Sequence, residues 1–423
     1  MMKTASDLML TLKSAAGMER LARLYGCKDG KMAHQLERYM HLLKRHVDLF
    51  GSEEAPMIIS APGRTELCGN HTDHNNGLVM AAAVNLDTVA AVRRREDMRV
   101  RLHSEGFPAV EIDLSDLSIR PEEMGKPASI IRGIANRLRE MGLTIGGFDA
   151  CATSNVLTGS GLSSSAAFEV LIVAIFDALY NGMQVDAIRR AEISQYAENV
   201  YFGKPSGLMD QMASSVGGLV AIDFKDKPKV KPMQMDLNGY SLVVVNTGGS
   251  HDDLTEDYAA VRREMHAVAQ CFGEETLRRV RPEQLWNDMA RVRAQAGDRA
   301  VLRAYHYFNE NDRVKELIKA VKANDVAEFR RVLIESGRSS WMYLQNLYAN
   351  PAHQQLGVAL SMAEYMLHDC GAWRVHGGGF AGTTLNLVPQ EMEQRFVKHM
   401  NEVFGDHACH VLNIRREGAA IVF

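Results

Sequence analysis

The chain has 423 residues, 46% of them hydrophobic and 24% charged, a composition typical of a globular protein with enough apolar side chains for two or three domains. Its 48 basic and 52 acidic residues give a formal net charge of −4, which excludes a general attraction to nucleic acid or to an anionic membrane surface. The six cysteines form no CxxC pair and charges run through the N-terminal segment, so we expect no zinc knuckle, no signal peptide and a cytoplasmic location.

Residues 1–50 place apolar side chains at helical spacing among Lys, Arg and His. The pattern is interrupted at Gly26–Gly30, and a second helix is predicted over about Met32–Phe50. The basic side chains are spread around these helices and do not form one face. We therefore predict a helical N-terminal extension that packs against the rest of the chain and carries no site.

From Met57 onwards, short apolar runs separated by Asn, Asp and Gly predict a mostly antiparallel sheet. Between the first two predicted strands, APGRTELCGNHTDHNNG (residues 61–77) places Arg64, His71, Asp73 and His74 in one loop. A carboxylate that accepts two hydroxyl groups and an imidazole that donates or accepts suit a polyhydroxy ligand. We expect this loop to bind a polyol. A metal site and a solvated turn are the alternatives.

The stretch LTGSGLSSSAAF (residues 157–168) joins a predicted strand to a helix that is predicted to begin near Ala166. Its glycines let the backbone approach a ligand, and its hydroxyls lie beside the free N–H groups of the helix, which favours a phosphate guest. It matches neither GxxxxGK[ST] nor GxGxxG, and an ordinary N-cap is the alternative. The expected phosphate-binding residues are Gly159, Ser160, Gly161, Leu162, Ser163, Ser164 and Ser165.

Two carboxylates follow this loop. A helix predicted over residues 185–203 carries Glu198 towards the motif GKPSGLMDQMASSVGG, in which Asp210 is expected in a glycine-bounded turn. A carboxylate among Met and Leu is costly to leave unpaired, so we expect Asp210 to be functional. A domain boundary is predicted near residue 239. Beyond it, a GxGxxG match at Gly377–Gly382 precedes a strand instead of a helix, which excludes a dinucleotide site.

Three motifs in chain order resemble those of the GHMP small-molecule kinases. GRTELCGNHTDHNNG resembles the signature GRxNxxGEHxDYxxG of the galactokinase branch, LTGSGLSSSAA resembles the family's phosphate loop, and HGGGFAG resembles its third motif. The resemblance covers about residues 55–423. It implies an α+β protein with an S5-like α/β N-terminal domain over residues 51–238 and a ferredoxin-like C-terminal domain over 239–423, after the extension 1–50. ATP and a sugar are expected in the cleft between the domains.

The resemblance also implies residue roles. Asp210 corresponds to the catalytic base and Arg64 to the arginine near the attacking oxygen, while Ser165 and Glu198 correspond to ligands of Mg²⁺. The expected sugar-contacting residues are Asn70, His71, Asp73 and Tyr258. The chain departs from the signature at Asn70, where the family has Glu facing the C6 hydroxyl of the sugar, at Glu66 for Asn, at Thr65 for Val and at His74 for Tyr.

The function implied is that of an ATP-dependent sugar 1-kinase, first of all for galactose, with Mg²⁺ as cofactor and sugar and ATP as small-molecule partners. Kinases for galacturonate, arabinose or N-acetylgalactosamine are the alternatives. A mevalonate or homoserine kinase and a non-catalytic sugar sensor are two further readings. The uninterrupted phosphate loop, together with Arg64, Glu198 and Asp210, favours the enzyme over the sensor.

Overall fold

The computed structural model describes residues 4–26, 32–51, 54–156, 161–237, 239–249, 254–380 and 382–423. Two of the expected phosphate-binding residues, Gly159 and Ser160, lie outside the described residues. No helix within the described ranges is long and apolar enough to cross a membrane.

Helices and strands are mixed along the whole described chain. The helices are α1 Ala5–Lys13, α2 Ala15–Tyr25, α3 Met32–Phe50, α4 Pro127–Glu140, α5 Ser164–Tyr180, α6 Ala187–Tyr196, α7 Met209–Val216, α8 Thr255–Gln270, α9 Pro282–Asn287, α10 Met289–Ala296, α11 Asp298–Ala323, α12 Val326–Ser339, α13 Gln355–Leu367 and α14 Glu393–Phe404. The strands are β1 Met57–Cys68, β2 Leu78–Arg94, β3 Arg99–Ser104, β4 Val110–Asp113, β5 Phe148–Ser154, β6 Leu219–Asp223, β7 Lys229–Met233, β8 Tyr240–Asn246, β9 Ala372–His376, β10 Thr383–Pro389, β11 Cys409–Leu412 and β12 Ala420–Ile421.

The first sheet contains eight strands among the described residues, in the order β12-β1-β2-β5-β3-β4, with β6 paired to β2 and β7 paired to β6. Its pairings are antiparallel except for that of β3 with β5. The prediction of a mostly antiparallel sheet is therefore confirmed. Instead of the short strands that the apolar runs predict, residues Leu78–Arg94 form the single long strand β2.

Alternation along β1 and β2 gives the first sheet two buried faces, because successive side chains of a strand point to opposite sides. Ile59 and Ala90 pack in the core that includes α4 and α5. Ile58 and Val89 pack instead with the apolar side chains of α1, α2 and α3. The N-terminal helices thus cover the second face of the sheet.

The second sheet has the order β11-β8-β10-β9 and is antiparallel throughout. Helices α11 and α12 contribute to the core on one side of it, and α13 and α14 to the core on the other. The last strand, β12, returns to the first sheet and pairs with β1. The boundary near residue 239 falls between β7 and β8 and stays a prediction.

Two site residues lie on regular elements instead of the predicted loops. Strand β1 continues to Cys68, so Arg64 is a strand residue whose neighbour across the sheet is Ala83. Asp210 lies in the first turn of α7 and not in a turn between glycines. Nearby glycines suggest turns at both positions, but pairing of β1 with β2 and packing of α7 form a strand and a helix there instead. A rigid backbone therefore carries both charged side chains.

Asp87, in the middle of β2, joins the extension to the chain's C-terminal segment. Its carboxylate is fully buried and accepts hydrogen bonds from Arg38 of α3 at 2.6 Å, from Arg415 at 2.8 Å, from the Tyr25 hydroxyl at 2.7 Å and from Ser60. Burial alone would raise the pKa of Asp87, but the two guanidinium groups hold it below its ordinary value. The carboxylate is charged and fully paired.

Replacing Asp87 by Asn should lower the free energy of unfolding by about 3–5 kcal/mol, because it leaves two buried cations without their counter-charge. Urea denaturation measures this loss. The matched control is Asp288→Asn, since Asp288 makes a half-exposed pair with Arg291 at 2.8 Å and should lose only about 0–1 kcal/mol. Equal losses in the two variants would contradict the role given to Asp87.

Candidate active site

Two cavities meet at the N-terminus of α5. The first, which we call the apolar cavity, has a volume of about 500 Å³ and is lined by Leu102, Phe107, Val110, Ile130, Phe168 and Phe202, among others. The second, the polar cavity, has a volume of about 300 Å³ and is lined by Arg64, Glu66, His71, Asp73, Asp210 and Tyr258, among others. Ser165, Glu198 and Lys204 line both cavities. A molecule that fills one cavity therefore comes next to a molecule in the other.

The N-terminus of α5 has the geometry of an anion site. The helix begins at Ser164, two residues before the predicted start, and its first backbone bond runs from the Ala167 N–H to the Ser163 carbonyl at 3.1 Å. The preceding N–H groups of this turn have no partner inside the helix, and the helix dipole adds partial positive charge there. Ser163 occupies the N-cap position, but its hydroxyl donates to Asp210 and does not cap the helix. The geometry favours the phosphate prediction over an ordinary N-cap.

Arg64 connects Asp210 to the phosphate loop. Its Nε donates to Asp210 Oδ1 at 2.8 Å, and its Nη1 donates to the Gly161 carbonyl. Its backbone N–H donates to the Leu162 carbonyl at 3.0 Å. Burial would raise the pKa of Asp210, but the charge and hydrogen bond of Arg64 and the Ser163 hydroxyl hold it below its ordinary value. Asp210 is therefore ionised, and about a third of its side chain is exposed to the polar cavity.

Glu198 lies in a π-helical turn, Ala197–Phe202, that follows α6 where the sequence predicted a continuous helix. Such turns often mark functional sites. Lys204 Nζ lies 3.2 Å from its Oε1, and the Gln211 amide donates to its Oε2 at 2.8 Å. The same Gln211 amide donates to Glu169 at 2.9 Å. Burial and the nearby Glu198 raise the pKa of Glu169 well above its ordinary value, so this region has an excess of acidic groups.

The glycine loop after β9 holds three side chains of the polar cavity through consecutive carbonyls. Among the described residues, the Gly377 carbonyl accepts from Asn70 at 2.6 Å, that of Gly378 from His71 at 2.8 Å and that of Gly379 from Tyr258 at 2.8 Å. The Tyr258 ring stacks near His71 with ring centroids 6.4 Å apart. A side chain at position 378 would strike this ring, because a Cβ there would lie 2.6 Å from it. The third motif is thus a scaffold for the polar cavity.

His71 presents a hydrogen-bond acceptor to the cavity. Burial lowers its pKa from the ordinary 6.5 to about 4, so the ring is neutral at physiological pH. Its Nε2 faces a carbonyl and must carry the ring proton. Nδ1 is therefore an acceptor. A sugar hydroxyl could donate a hydrogen bond to this nitrogen.

Asp73 is held on the same side of the cavity. Its Oδ1 accepts the backbone N–H of His74 at 2.9 Å. Its Oδ2 packs so closely on Gly207 that a Cβ at position 207 would lie 2.2 Å away. Gly207 thus allows the loop before α7 to approach the carboxylate.

Asn70 supports the wall of the cavity through every polar atom of its side chain. Its amide N–H groups donate to Glu66 Oε1 at 3.0 Å and to the Gly377 carbonyl, and its oxygen accepts from Asn346 at 2.8 Å. Both amide hydrogens are thus taken by protein acceptors. The expectation that Asn70 contacts the sugar stays a prediction, and any such contact would have to be accepted by its oxygen.

Several site residues had no signal in the sequence. The residues of the apolar cavity are ordinary hydrophobic side chains scattered between positions 102 and 202. Gln211 and Lys204 become recognisable only when the π-helical turn brings Glu198 between them. Glu66 departs from the family signature in the sequence, but only the structure places its side chain in the polar cavity.

The N-terminus of α5, with an apolar cavity on one side and a polar cavity on the other, has the arrangement expected of a small-molecule kinase of the GHMP type. Family models agree: residues 44–94 match the galactokinase galactose-binding signature, and residues 129–218 match the GHMP kinases N-terminal domain. The galactokinase of Actinobacillus pleuropneumoniae serotype 5b is 32% identical over 359 residues, 84% of this chain and 89% of the relative. That of Streptomyces coelicolor is 31% identical over 85% of this chain and 92% of the relative. The chain belongs to the galactokinase family of GHMP kinases, which are phosphotransferases with an alcohol group as acceptor.

Solved structures place the fold in the same family. The galactokinase of Lactococcus lactis complexed with galactose has a TM-score of 0.78 and 26% identity, and the match covers 91% of this chain and 100% of that one. The mevalonate kinase of Methanococcus jannaschii has a TM-score of 0.62 at 15% identity, which shows the fold alone. The predicted fold class is confirmed.

The state of His71 gives a testable pH dependence. Because its pKa in the folded protein is about 4, NMR of the histidine side chains should find His71 neutral and protonated on Nε2 down to about pH 5. Its signal is assigned by its loss in His71→Gln. As the pH falls from 6.5 towards 4, the unfolded chain takes up this proton first, so the His71 contribution to folding stability is lost in that window. Titration of His71 near 6.5 would contradict the buried, neutral state.

Proposed function

We propose that the protein is an ATP-dependent galactokinase that transfers the γ-phosphoryl group of ATP to the C1 hydroxyl of galactose, forming galactose 1-phosphate and ADP. The observation that carries the proposal is the junction of the two cavities at the N-terminus of α5, beside the Arg64–Asp210 pair. Two substrates can meet there around a phosphate. Membership in the galactokinase family supports the choice of sugar.

The apolar cavity is suited to the base of ATP. Its volume of about 500 Å³ and its aromatic and aliphatic lining fit a flat heterocycle, and Asn155 and Ser154 offer polar atoms at its edge. From there the phosphates extend towards Ser164 and Ser165 at the start of α5. The expected phosphate-binding role of Gly161, Leu162 and Ser163–Ser165 remains part of the proposal.

The polar cavity is suited to the sugar. Its volume of about 300 Å³ fits a single pyranose, and its lining offers the His71 acceptor, the Asp73 carboxylate and the Tyr258 hydroxyl. These three side chains are the sugar ligands of the proposal. Their attachment to the glycine loop and to Gly207 leaves them little freedom, so little ordering entropy is lost when the sugar binds.

Asp210 orients the attacking hydroxyl. The C1 hydroxyl donates to the ionised carboxylate, which points its oxygen at the γ-phosphorus. Because the pKa of Asp210 is held below its ordinary value, proton transfer to it belongs late in the reaction, when the sugar oxygen is already bonding to phosphorus. Arg64 balances the charge that spreads over the transferring oxygens. The proton leaves Asp210 after ADP and the sugar phosphate separate.

The oxygen donors at the cavity junction suit Mg²⁺. Ser165 offers an exposed hydroxyl and Glu198 a carboxylate, both hard ligands. The Lys204 ammonium lies beside Glu198 on a side chain that is 61% exposed, so this carboxylate already pairs with a cation. The described residues contain no cluster of three or more His, Cys, Asp and Glu side chains that could hold a metal ion. Bound there, Mg²⁺ neutralises phosphate charge.

A coupled ADP-release assay tests the function. Galactose, N-acetylgalactosamine, arabinose, galacturonate, glucose and mevalonate are each supplied with ATP and Mg²⁺. We expect galactose to give the highest kcat/KM. A preference for mevalonate would contradict the sugar assignment, and binding of sugar and ATP without ADP release would identify a sensor.

Asp210→Asn should lower kcat by about 10²- to 10⁴-fold, because the amide neither holds the C1 hydroxyl as strongly nor accepts its proton. ATP binding, measured by calorimetry, should persist. Asp223→Asn, which alters a carboxylate paired with Arg278 outside both cavities, is the matched control and should keep the parent kcat. A kcat within a few-fold of the parent in Asp210→Asn would remove Asp210 from the mechanism.

Glu198→Gln should raise the Mg²⁺ concentration needed for half-maximal rate, because an amide oxygen is a weaker ligand than a carboxylate. The KM for galactose should change little. Glu192→Gln, an exposed site on α6, is the control. An unchanged Mg²⁺ dependence with a raised KM for galactose would reassign Glu198 to the sugar.

A further inference from the structure

We propose that Glu66 selects the sugar by accepting a hydrogen bond from a hydroxyl on the side of the ring remote from C1. This role rests on the proposed galactokinase activity and deepens it. None of the sequence motifs gave Glu66 a function. Its position, its bonding and the state of its neighbour Asn70 each point to the role.

Glu66 faces the same cavity as the reacting centre. Arg64 and Glu66 are two residues apart in β1 with unbroken register, opposite Ala83 and Ala81, so both side chains leave the sheet on one face. Both line the polar cavity. Two strand steps separate them by about 6.6 Å, roughly the length of a pyranose ring. With C1 beside Arg64 and Asp210, Glu66 meets the opposite side of the sugar.

One oxygen of Glu66 is held by the protein and the other is left for a guest. Oε1 accepts from Arg374 at 3.0 Å and from Asn70 at 3.0 Å. Among the described residues, none donates to Oε2. The whole residue is only 3% exposed, so bulk water cannot readily supply the hydrogen bond that Oε2 lacks. Burial outweighs Arg374 and raises the pKa of Glu66, and a hydroxyl that donates to Oε2 would stabilise the charged form.

Asn70 acts as a positioning residue for this carboxylate. Its amide bridges Glu66 Oε1 and the Gly377 carbonyl, and Asn346 holds its oxygen. The side-chain conformation of Glu66 is therefore fixed from two directions, by Asn70 and by the fully buried Arg374. The carboxylate that reads the sugar in this chain is thus at position 66, and the amide that supports it is at position 70.

The test combines deletion of the carboxylate with deletion of each hydroxyl. Calorimetry measures the binding of galactose and of its 3-deoxy, 4-deoxy and 6-deoxy analogues to the parent and to Glu66→Gln. In the parent, we expect one analogue to bind about 10- to 100-fold more weakly than galactose, because it lacks a charge-assisted hydrogen bond. In Glu66→Gln the penalty for that analogue should fall by about tenfold, while the other two ratios stay unchanged.

Two further variants separate this effect from damage to the fold. Glu310→Gln makes the same change in a buried carboxylate that bonds Gly69 at 3.0 Å and does not line the polar cavity, so it should keep the parent's ratios. Glu66→Asp keeps the charge for Arg374 but withdraws it by one methylene, and it should also reduce the penalty. Every ratio compares ligands on one protein preparation and is independent of its folded fraction.

Equal loss of affinity for galactose and all three analogues in Glu66→Gln and Glu66→Asp would overturn the inference. A shift in the ratios that also occurs in Glu310→Gln would overturn it as well. If the parent binds galactose but releases no ADP, the proposed function fails and the binding result for Glu66 stands. If the parent does not bind galactose, both fail.

Discussion

The ion pair between Arg64 and Asp210 is the interaction on which the site depends. Arg64 extends from β1 of the first sheet, and Asp210 lies in the first turn of α7. The same guanidinium donates to the Gly161 carbonyl at the start of α5. Three separate elements are thereby fixed around one charged contact at 2.8 Å. The pair also keeps the Asp210 carboxylate ionised beside the junction of the two cavities, where the proposed reaction takes place.

The polar cavity is organised by backbone as much as by side chains. Three consecutive glycine carbonyls orient Asn70, His71 and Tyr258, so the second sheet determines how residues from the signature loop face the first. These hydrogen bonds engage different polar atoms in each side chain, and the atoms left over are available to a ligand. His71 keeps an acceptor nitrogen, whereas both amide hydrogens of Asn70 are donated to Glu66 and to the Gly377 carbonyl. Because these side chains are already held in place, little conformational entropy is lost when a ligand binds.

Much of this was accessible from sequence because motifs report local chemistry. The serine run predicted an anion site, the short apolar runs predicted a mostly antiparallel sheet, and helical patterns predicted α3, α5 and α6. The placement of Arg64 and Asp210 on regular elements was missed, because glycines near them resemble turn signals while strand pairing and helix packing are long-range effects. The role proposed for Glu66, and its support by Asn70, could not be read from the sequence. Both side chains line the polar cavity, and which of their polar atoms remain for a ligand depends on Arg374 and Asn346, about 300 residues away along the chain.

The central claim is that the Arg64–Asp210 pair receives the C1 hydroxyl of the sugar, and the position of the transferred phosphate tests it most directly. Phosphorus and proton NMR of the mixture of protein, galactose, ATP and Mg²⁺ should show one sugar phosphate, with phosphorus coupled to the anomeric proton and formed in step with ADP. Phosphate on any other hydroxyl, or ADP formed with free inorganic phosphate in place of a sugar phosphate, would contradict the account.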